Sequence, residues 1–118
     1  MASCQREVLQ TRTASIDPAA TTGEAVTLPP RSHSCIGELI VTACHADITI
    51  SSEIQHSADN SNWYTYLSFS NVAGTTAIEA KYPVNASVLP YVRAKSTFTG
   101  ATAGKSATIS IKLFFQPN

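Results

Sequence analysis

The sequence lacks the features that mark several large classes of protein. Its 8 Lys and Arg residues balance 8 Asp and Glu residues, and charged residues make up only 14% of the chain. A neutral chain without a basic cluster has no field that attracts nucleic acid, so no nucleic-acid partner is expected. No apolar run approaches membrane-spanning length, and the N-terminal segment lacks the apolar core of a signal peptide. We therefore expect a soluble protein, made in the cytoplasm, with no membrane partner.

Cysteine is also scarce, with three residues, Cys4, Cys35 and Cys44. Their number and wide spacing fit neither a disulfide framework nor a zinc knuckle. We expect free thiols, with Cys44 as a small core residue, because unpaired Cys is often buried. A reactive or intermolecularly bonded Cys4 is the alternative.

No set of residues has a catalytic or metal-binding spacing. The histidines, His33, His45 and His56, lie in different segments, and none has a second metal ligand nearby in a suitable pattern. Asp59 lies in a loop rich in oxygen atoms, but a calcium site needs more acidic ligands, which favours an ordinary turn. No Ser lies in a nucleophile elbow and no Gly-rich loop suits phosphate. We predict a protein that is not an enzyme and has no metal or cofactor, and we expect His56 to cap a hairpin.

What the sequence does contain is a series of β-strand patterns, the clearest of which lies between residues 48 and 69. Before a polar, turn-forming cluster at residues 56–62, Ile48, Ile50 and Ile54 alternate with polar residues. After the cluster, Trp63, Leu67 and Phe69 alternate with Tyr64, Tyr66 and Ser68. Period two on both sides of a turn predicts an antiparallel hairpin with one buried face.

Further strand patterns follow along the chain. Residues 39–44 are nearly apolar on both faces, as in a central strand, and alternation recurs in residues 76–82, 91–99 and 107–115. These patterns predict an all-β fold, a single antiparallel β-sandwich of jelly-roll or immunoglobulin-like type. The predicted core contains Leu39, Val41, Ile48, Ile50, Ile54, Trp63, Leu67, Phe69, Val92, Phe98, Ile109, Ile111 and Leu113.

The first 34 residues are patterned more weakly. Strands are predicted near residues 8–14 and 25–28, but proline-containing segments follow each of them. Proline interrupts strand ladders and stiffens connections. We predict an N-terminal arm with peripheral strands, residues 1–34, followed by the β-sandwich domain, residues 35–118.

The aromatic residues allow two interpretations. Trp63 shares a face with the apolar residues that follow it, which favours the core. The alternative is a stacking platform for a sugar, with Tyr64 and Tyr66 on the exposed face. Phe114 alternates out of the inward set at positions 111, 113 and 115. Because aromatic residues are enriched at interfaces, Tyr64, Tyr66 and Phe114 are the candidate subunit-interface residues.

Two segments carry a resemblance to known families. They are residues 53–63, EIQHSADNSNW, and residues 90–95, PYVRAK. This layout resembles the small decoration (cement) proteins on the heads of tailed bacteriophages and related virion β-sandwich modules. It is also similar to the Ser-x-Asp-x-x-x-Trp and Tyr-Val-Arg layout of discoidin-like carbohydrate-binding jelly rolls. The similarity covers residues 37–115.

The two resemblances imply different kinds of binding. Similarity to decoration proteins implies a structural virion protein on the capsid surface that binds neighbouring major capsid subunits and stabilises the phage head. It also implies self-association, as a homotrimer at three-fold positions or, alternatively, as a dimer across two-folds. The other similarity implies a carbohydrate- or receptor-binding module of a virion tail or fibre.

Overall fold

A computed structural model describes residues 5–14, 20–83, 87–100 and 104–116. Every regular element in these ranges is a β-strand, which confirms the predicted all-β class. The strands are β1 (Gln5–Ala14), β2 (Ala20–Thr22), β3 (Val26–Thr27), β4 (His33–Cys44), β5 (Thr49–Ser57), β6 (Tyr64–Ser68), β7 (Val72–Ala73), β8 (Ala77–Lys81), β9 (Tyr91–Thr99) and β10 (Ala107–Gln116). Within the same ranges, no helix is long and apolar enough to cross a bilayer.

The strands form two antiparallel sheets. The four-stranded sheet has the order β1-β10-β4-β8. The six-stranded sheet has the order β2-β9-β5-β6, with β3 also beside β9 and β7 also beside β5. Apolar side chains from both sheets meet in one core, so the predicted β-sandwich is confirmed.

The strand pairing identifies the type of sandwich. Because β2 and β3 both pair with β9, and β6 and β7 both pair with β5, each of these two pairs occupies one strand position. The resulting eight positions pair first with eighth, second with seventh, third with sixth and fourth with fifth. A long hairpin that winds around a two-sheet core produces this nested pairing, which is the jelly roll. Of the two predicted types, the jelly roll is the one observed.

The predicted core is buried at every position except Trp63. The side chains at no more than 5% exposure include Leu39, Val41, Ile48, Ile50, Ile54, Leu67, Phe69, Val92, Phe98, Ile109, Ile111 and Leu113. The buried set also contains Leu28 and Val72, which the sequence patterns did not place in the core.

Residues 5–27 supply outer strands to both sheets. β1 pairs with β10 from Gln5 to Ala14, and β2 and β3 pair with β9. The described part of this region therefore adds strands to both sheets. The division at residue 34 into an arm and a separate sandwich domain remains a prediction.

The central hairpin forms as predicted, from β5 and β6. In its turn, the Asp59 carboxylate accepts hydrogen bonds from the backbone N–H of Asn62 at 2.8 Å and of Ser61 at 2.9 Å, and from the Ser57 hydroxyl at 2.9 Å. These donors, the Asn62 N–H foremost, hold the pKa of Asp59 far below its ordinary value. Asn60 adopts the left-handed conformation with φ of 59°. The carboxylate thus stabilises the turn, which is the favoured interpretation of this loop.

The bonding state of the cysteines differs from the prediction at one position. Cys35 is disulfide-bonded, so the free thiol predicted at this position is wrong. Spacing arguments recognise disulfide frameworks and metal sites, and they do not detect an isolated disulfide. Cys44 is a free thiol packed against the core, as predicted. Cys4 lies outside the described residues.

Candidate interaction surfaces

A β-bulge in β6 decides which aromatic side chains reach the surface. Leu67 pairs with Ile54, whereas the next pair joins Thr65 to Gln55, so Tyr66 is an extra residue on β6. An extra residue reverses the faces of the side chains that precede it, because side chains alternate with period two. The start of β6 therefore points its side chains to the faces opposite those that the sequence pattern predicted.

Trp63 is the residue that this reversal affects most. Its predicted core position is wrong, because the side chain is half-buried and lies outside the core cluster. The guanidinium carbon Cζ of Arg93 lies 4.1 Å from the centroid of the Trp63 ring, within the range of a cation–π interaction. Since Arg93 alternates out of the buried set of β9, this contact places Trp63 on the outer face of the six-stranded sheet.

Hydrogen bonds connect this contact to the neighbouring strands. The Arg93 Nε–H donates to Gln55 Oε1 at 2.7 Å, and Gln55 Nε2 donates to Glu53 Oε2 at 3.3 Å. The Thr65 hydroxyl donates to the same Glu53 oxygen at 2.6 Å. We call Trp63, Arg93, Gln55, Glu53 and Thr65 the Trp63 cluster. The hydrogen bonds of this cluster connect side chains on β9, β5 and β6.

Tyr66, the extra residue of the bulge, points toward the core rather than away from it. Its ring packs against the core cluster and lies 4.6 Å, centroid to centroid, from the ring of His56. Burial raises the pKa of Tyr66. The predicted exposed position of Tyr66 is therefore wrong. Tyr64 lies opposite His56 in the strand register, on the other face from the predicted one, and its side chain is still 60% exposed.

His56 has the structural position expected for a residue near the end of the hairpin. Its Nδ1 accepts a hydrogen bond from the backbone N–H of Leu89 at 3.2 Å, which attaches the connection before β9 to β5. Burial lowers the pKa of His56 below its ordinary value of 6.5. In the described ranges, no group of three or more His, Cys, Asp or Glu side chains could hold a metal ion.

Phe114 belongs to a second surface, on the outer side of the four-stranded sheet. It lies opposite Ile36 on β4. Four residues further along β4, Ile40 lies opposite Ile78 on β8. All four residues alternate out of the buried set, and Ile78 is 76% exposed. We call Ile36, Ile40, Ile78 and Phe114 the outer apolar face.

The orientation of β8 explains why this face is apolar. Glu79 accepts hydrogen bonds from the backbone N–H of Ser70 at 2.8 Å and from its hydroxyl at 3.0 Å. Lys81 Nζ donates to the carbonyl oxygen of Ser68 at 2.6 Å. These bonds direct the charged side of β8 toward the end of β6 and the residues that follow it, so the apolar side, with Ile78, faces outward. Period two identifies the two sides of a strand but not which one is buried.

An ion pair lies between the two apolar rows. Lys112 on β10 is 4.0 Å from Glu38 on β4, and their side chains are 21% and 25% exposed. The two residues are direct neighbours in the strand register. The face therefore presents one positive and one negative charge side by side, flanked by apolar side chains.

The three predicted interface residues do not form one surface. Phe114 is on the four-stranded sheet, Tyr64 is on an edge strand of the six-stranded sheet, and Tyr66 packs against the core. Their role at a subunit interface remains a prediction. Sequence reasoning missed Arg93 and Ile78, because the outward positions of their strands gave no sign of what lies beside them.

Comparison with known proteins shows the fold. No family model and no curated protein matches the chain. Solved structures of infectious bursal disease virus do match. They include the Gx strain (TM-score 0.61, 11% identity), the T13 viral particle (0.62, 10%) and the VP2 subviral particle (0.59, 12%). Each match covers 98% of this chain and 31% or 32% of the other, so the chain spans about a third of their length.

Proposed function

We propose that this chain is a structural virion protein, a capsid decoration (cement) protein that binds neighbouring major capsid subunits and stabilises a phage head. The observation that supports this most is the shared fold with chains of virus particles over 98% of the sequence. The resemblance of residues 53–63 and 90–95 to decoration proteins adds to it. A function based on contact requires surfaces suited to contact, and both sheets carry one.

The outer apolar face supports self-association and capsid contact. Exposed apolar side chains that cluster on one face mark interaction sites more often than single exposed ones do. We propose a homotrimer, with a dimer as the alternative, because symmetric assembly repeats the same contact. Several weak contacts to a shell reinforce one another, since each raises the effective concentration for the next.

Attachment to undecorated heads tests this function. The purified protein is mixed with heads of the virus that encodes it, the heads are sedimented, and the bound protein is quantified. We expect saturable binding that Ile78→Lys and Phe114→Lys each reduce at least tenfold, because each places an unpaired charge in an apolar contact. Ser51→Lys, at an exposed position on β5, is the matched control and should bind normally.

The possible outcomes test the proposed function and the proposed contact surface independently. Wild-type protein that does not bind heads contradicts the proposed function. Normal binding of both lysine variants leaves attachment intact but shows that the outer apolar face is not the contact. Deleting residues 1–30, which would test the predicted arm as an anchor, is less informative because it removes β1 to β3 and leaves β9 and β10 without those neighbours.

Carbohydrate or receptor binding is the second candidate, and the outward position of Trp63 is the observation that favours it. Sugars stack on exposed aromatic rings. Against this, Arg93 covers one face of the ring at 4.1 Å. A glycan array decides the matter: saturable binding that Trp63→Ala abolishes and Tyr82→Ala, at another exposed aromatic residue, does not would favour this candidate.

A further inference from the structure

The Trp63 cluster holds a guanidinium group that has unused hydrogen-bond donors. An arginine side chain carries five N–H donors in a planar fork. In Arg93 the Nε–H donates to Gln55, and among the described residues the two terminal nitrogens have no hydrogen-bond or ion-pair partner. Four donors therefore remain available on the outer face of the six-stranded sheet.

The cluster fixes the position of this fork. The side-chain oxygen of Gln55 accepts a hydrogen bond from Arg93, and the side-chain amide N–H of Gln55 donates one to Glu53. These two bonds determine the orientation of the Gln55 amide, and the stacking on Trp63 restricts the plane of the guanidinium group. A side chain that is already ordered loses less conformational entropy when it binds a ligand.

Among the described residues, no carboxylate near the fork forms an ion pair with Arg93. The Glu53 carboxylate accepts bonds from Thr65 and Gln55, so it is not paired with Arg93. Lys95 is exposed, lies opposite Glu53 in the register, and follows Arg93 by two residues on the same face of β9. Arg93 and Lys95 therefore lie in line on the outer face of β9, and the carboxylates near them are those of Glu53 and of the exposed Glu24, between β2 and β3.

We propose that the Arg93 fork binds a carboxylate on an acidic side chain of a partner polypeptide, with the Trp63 ring as the apolar floor of the contact. A planar fork with paired donors matches a carboxylate in bidentate geometry. Phosphate sites usually add backbone N–H groups from a helix N-terminus or a Gly-rich loop, and the cluster has neither. Trp and Arg are also the residue types that dominate binding energy at protein interfaces.

This inference rests on the proposed function only in taking the partner to be a polypeptide. The probe is a fluorescein-labelled hexaglutamate peptide, followed by fluorescence anisotropy at low salt. Because Trp63 is the one tryptophan of the sequence, its intrinsic fluorescence gives a second signal with unlabelled peptide. We expect saturable binding that weakens as salt is raised and a change in Trp63 emission over the same concentration range.

Variants of Arg93 and of a distant lysine distinguish binding by the Arg93 fork from nonspecific attraction to positive charge. Arg93→Gln should weaken binding at least tenfold, and Arg93→Lys should weaken it several-fold because lysine keeps the charge but not the fork. Lys105→Gln removes a cation that pairs with Asp47 at 2.9 Å, away from the cluster, and should bind as the wild type does. Thermal unfolding of each variant verifies that it is folded.

Several results would overturn the inference. Wild-type protein that does not bind hexaglutamate contradicts it, as does equal binding by folded Arg93→Gln protein. Inorganic phosphate and sialyllactose serve as competitors, and if either binds through Arg93 while hexaglutamate does not, the ligand is not a polypeptide carboxylate. If hexaglutamate fails but wild-type protein still decorates heads, the inference falls and the proposed function stands.

Discussion

The outer faces of the two sheets show two ways to present a sheet to water. On the six-stranded sheet, hydrogen bonds join Arg93, Gln55, Glu53 and Thr65 into one network, which orders the Arg93 guanidinium group and uses only one of its five donors. On the four-stranded sheet, Ile78 is 76% exposed and gains stability only when something covers it. Burying apolar surface yields about 25 cal/mol per Å². The first face is suited to selecting a partner by geometry and the second to gaining binding energy by area.

The largest expected effect on stability is found by comparing a residue on the inner face of the four-stranded sheet with one on its outer face. Ile111 is fully buried, whereas Ile78 is mostly exposed. We expect Ile111→Ala to lower the free energy of unfolding by about 2–5 kcal/mol, through lost burial and a residual cavity. The matched change Ile78→Ala should alter it by no more than about 0.5 kcal/mol in the isolated protein. Urea denaturation measures both, and equal losses would show that Ile78 is covered in solution.

The next effect concerns Gly37 on β4, where side chains of the six-stranded sheet pack against the glycine. A Cβ at Gly37 would clash with the side chain of Leu67 and lie 3.1 Å from Ile54 Cδ1. We expect Gly37→Ala to cost about 1–3 kcal/mol from overpacking. A double-mutant cycle with Leu67→Ala should give less than the sum of the two single losses, because removing the leucine makes room for the methyl group. Additive losses would mean that Leu67 is not the obstacle.

A smaller effect compares one cation on each outer face. Arg93 loses a charged hydrogen bond and a cation–π contact when it is replaced by alanine, which we expect to cost about 1–2 kcal/mol. Lys112 has only the ion pair to Glu38 at 4.0 Å, and a pair of this kind contributes about 0–1 kcal/mol. Chemical denaturation of Arg93→Ala and Lys112→Ala gives the two values. The reverse order would remove the structural distinction between the faces.

The smallest effect depends on pH and on His56, which belongs to neither face. Its pKa is lowered in the folded protein, so the unfolded chain binds the proton more tightly. Stability is therefore full above about pH 6.5 and falls as the pH decreases toward the folded-state pKa, below which this residue causes no further loss. Protonation of Nδ1 would also remove the acceptor for the Leu89 N–H.

Melting temperatures between pH 7.5 and 5 test this titration. Part of the decline should disappear in His56→Gln, while His33→Gln, at an exposed position, should retain the wild-type profile. An identical decline in all three proteins would assign the pH dependence to other groups.

Much of the fold could be predicted because strand alternation is a local pattern. β9 and β10 begin at the predicted residues, and the buried face of β10, from Ala107 to Phe115, is the predicted face. The strand order could not be predicted, since it depends on pairings between residues far apart in the chain. The jelly roll became evident only when β1 was found beside β10 and β4 beside β8.

The candidate surfaces were less accessible to sequence reasoning. One extra residue at Tyr66 moved Trp63 from the predicted inner face to the outer one, and a period-two pattern contains no sign of a bulge. Ile78 looked like half of an ordinary amphipathic strand. Its exposure follows from the bonds of Glu79 and Lys81 to Ser70 and Ser68, which are contacts between different strands and loops that alternation does not contain.

The proposed virion role is tested most directly by locating the protein. Cryo-electron microscopy of heads with and without the added protein, even at low resolution, would give a difference map. We expect density at regularly repeated positions on the outside of the shell, with three-fold or two-fold symmetry, that is lost with Ile78→Lys and retained with Ser51→Lys. Density confined to a tail tip, or no density on the shell at saturating protein, would contradict it.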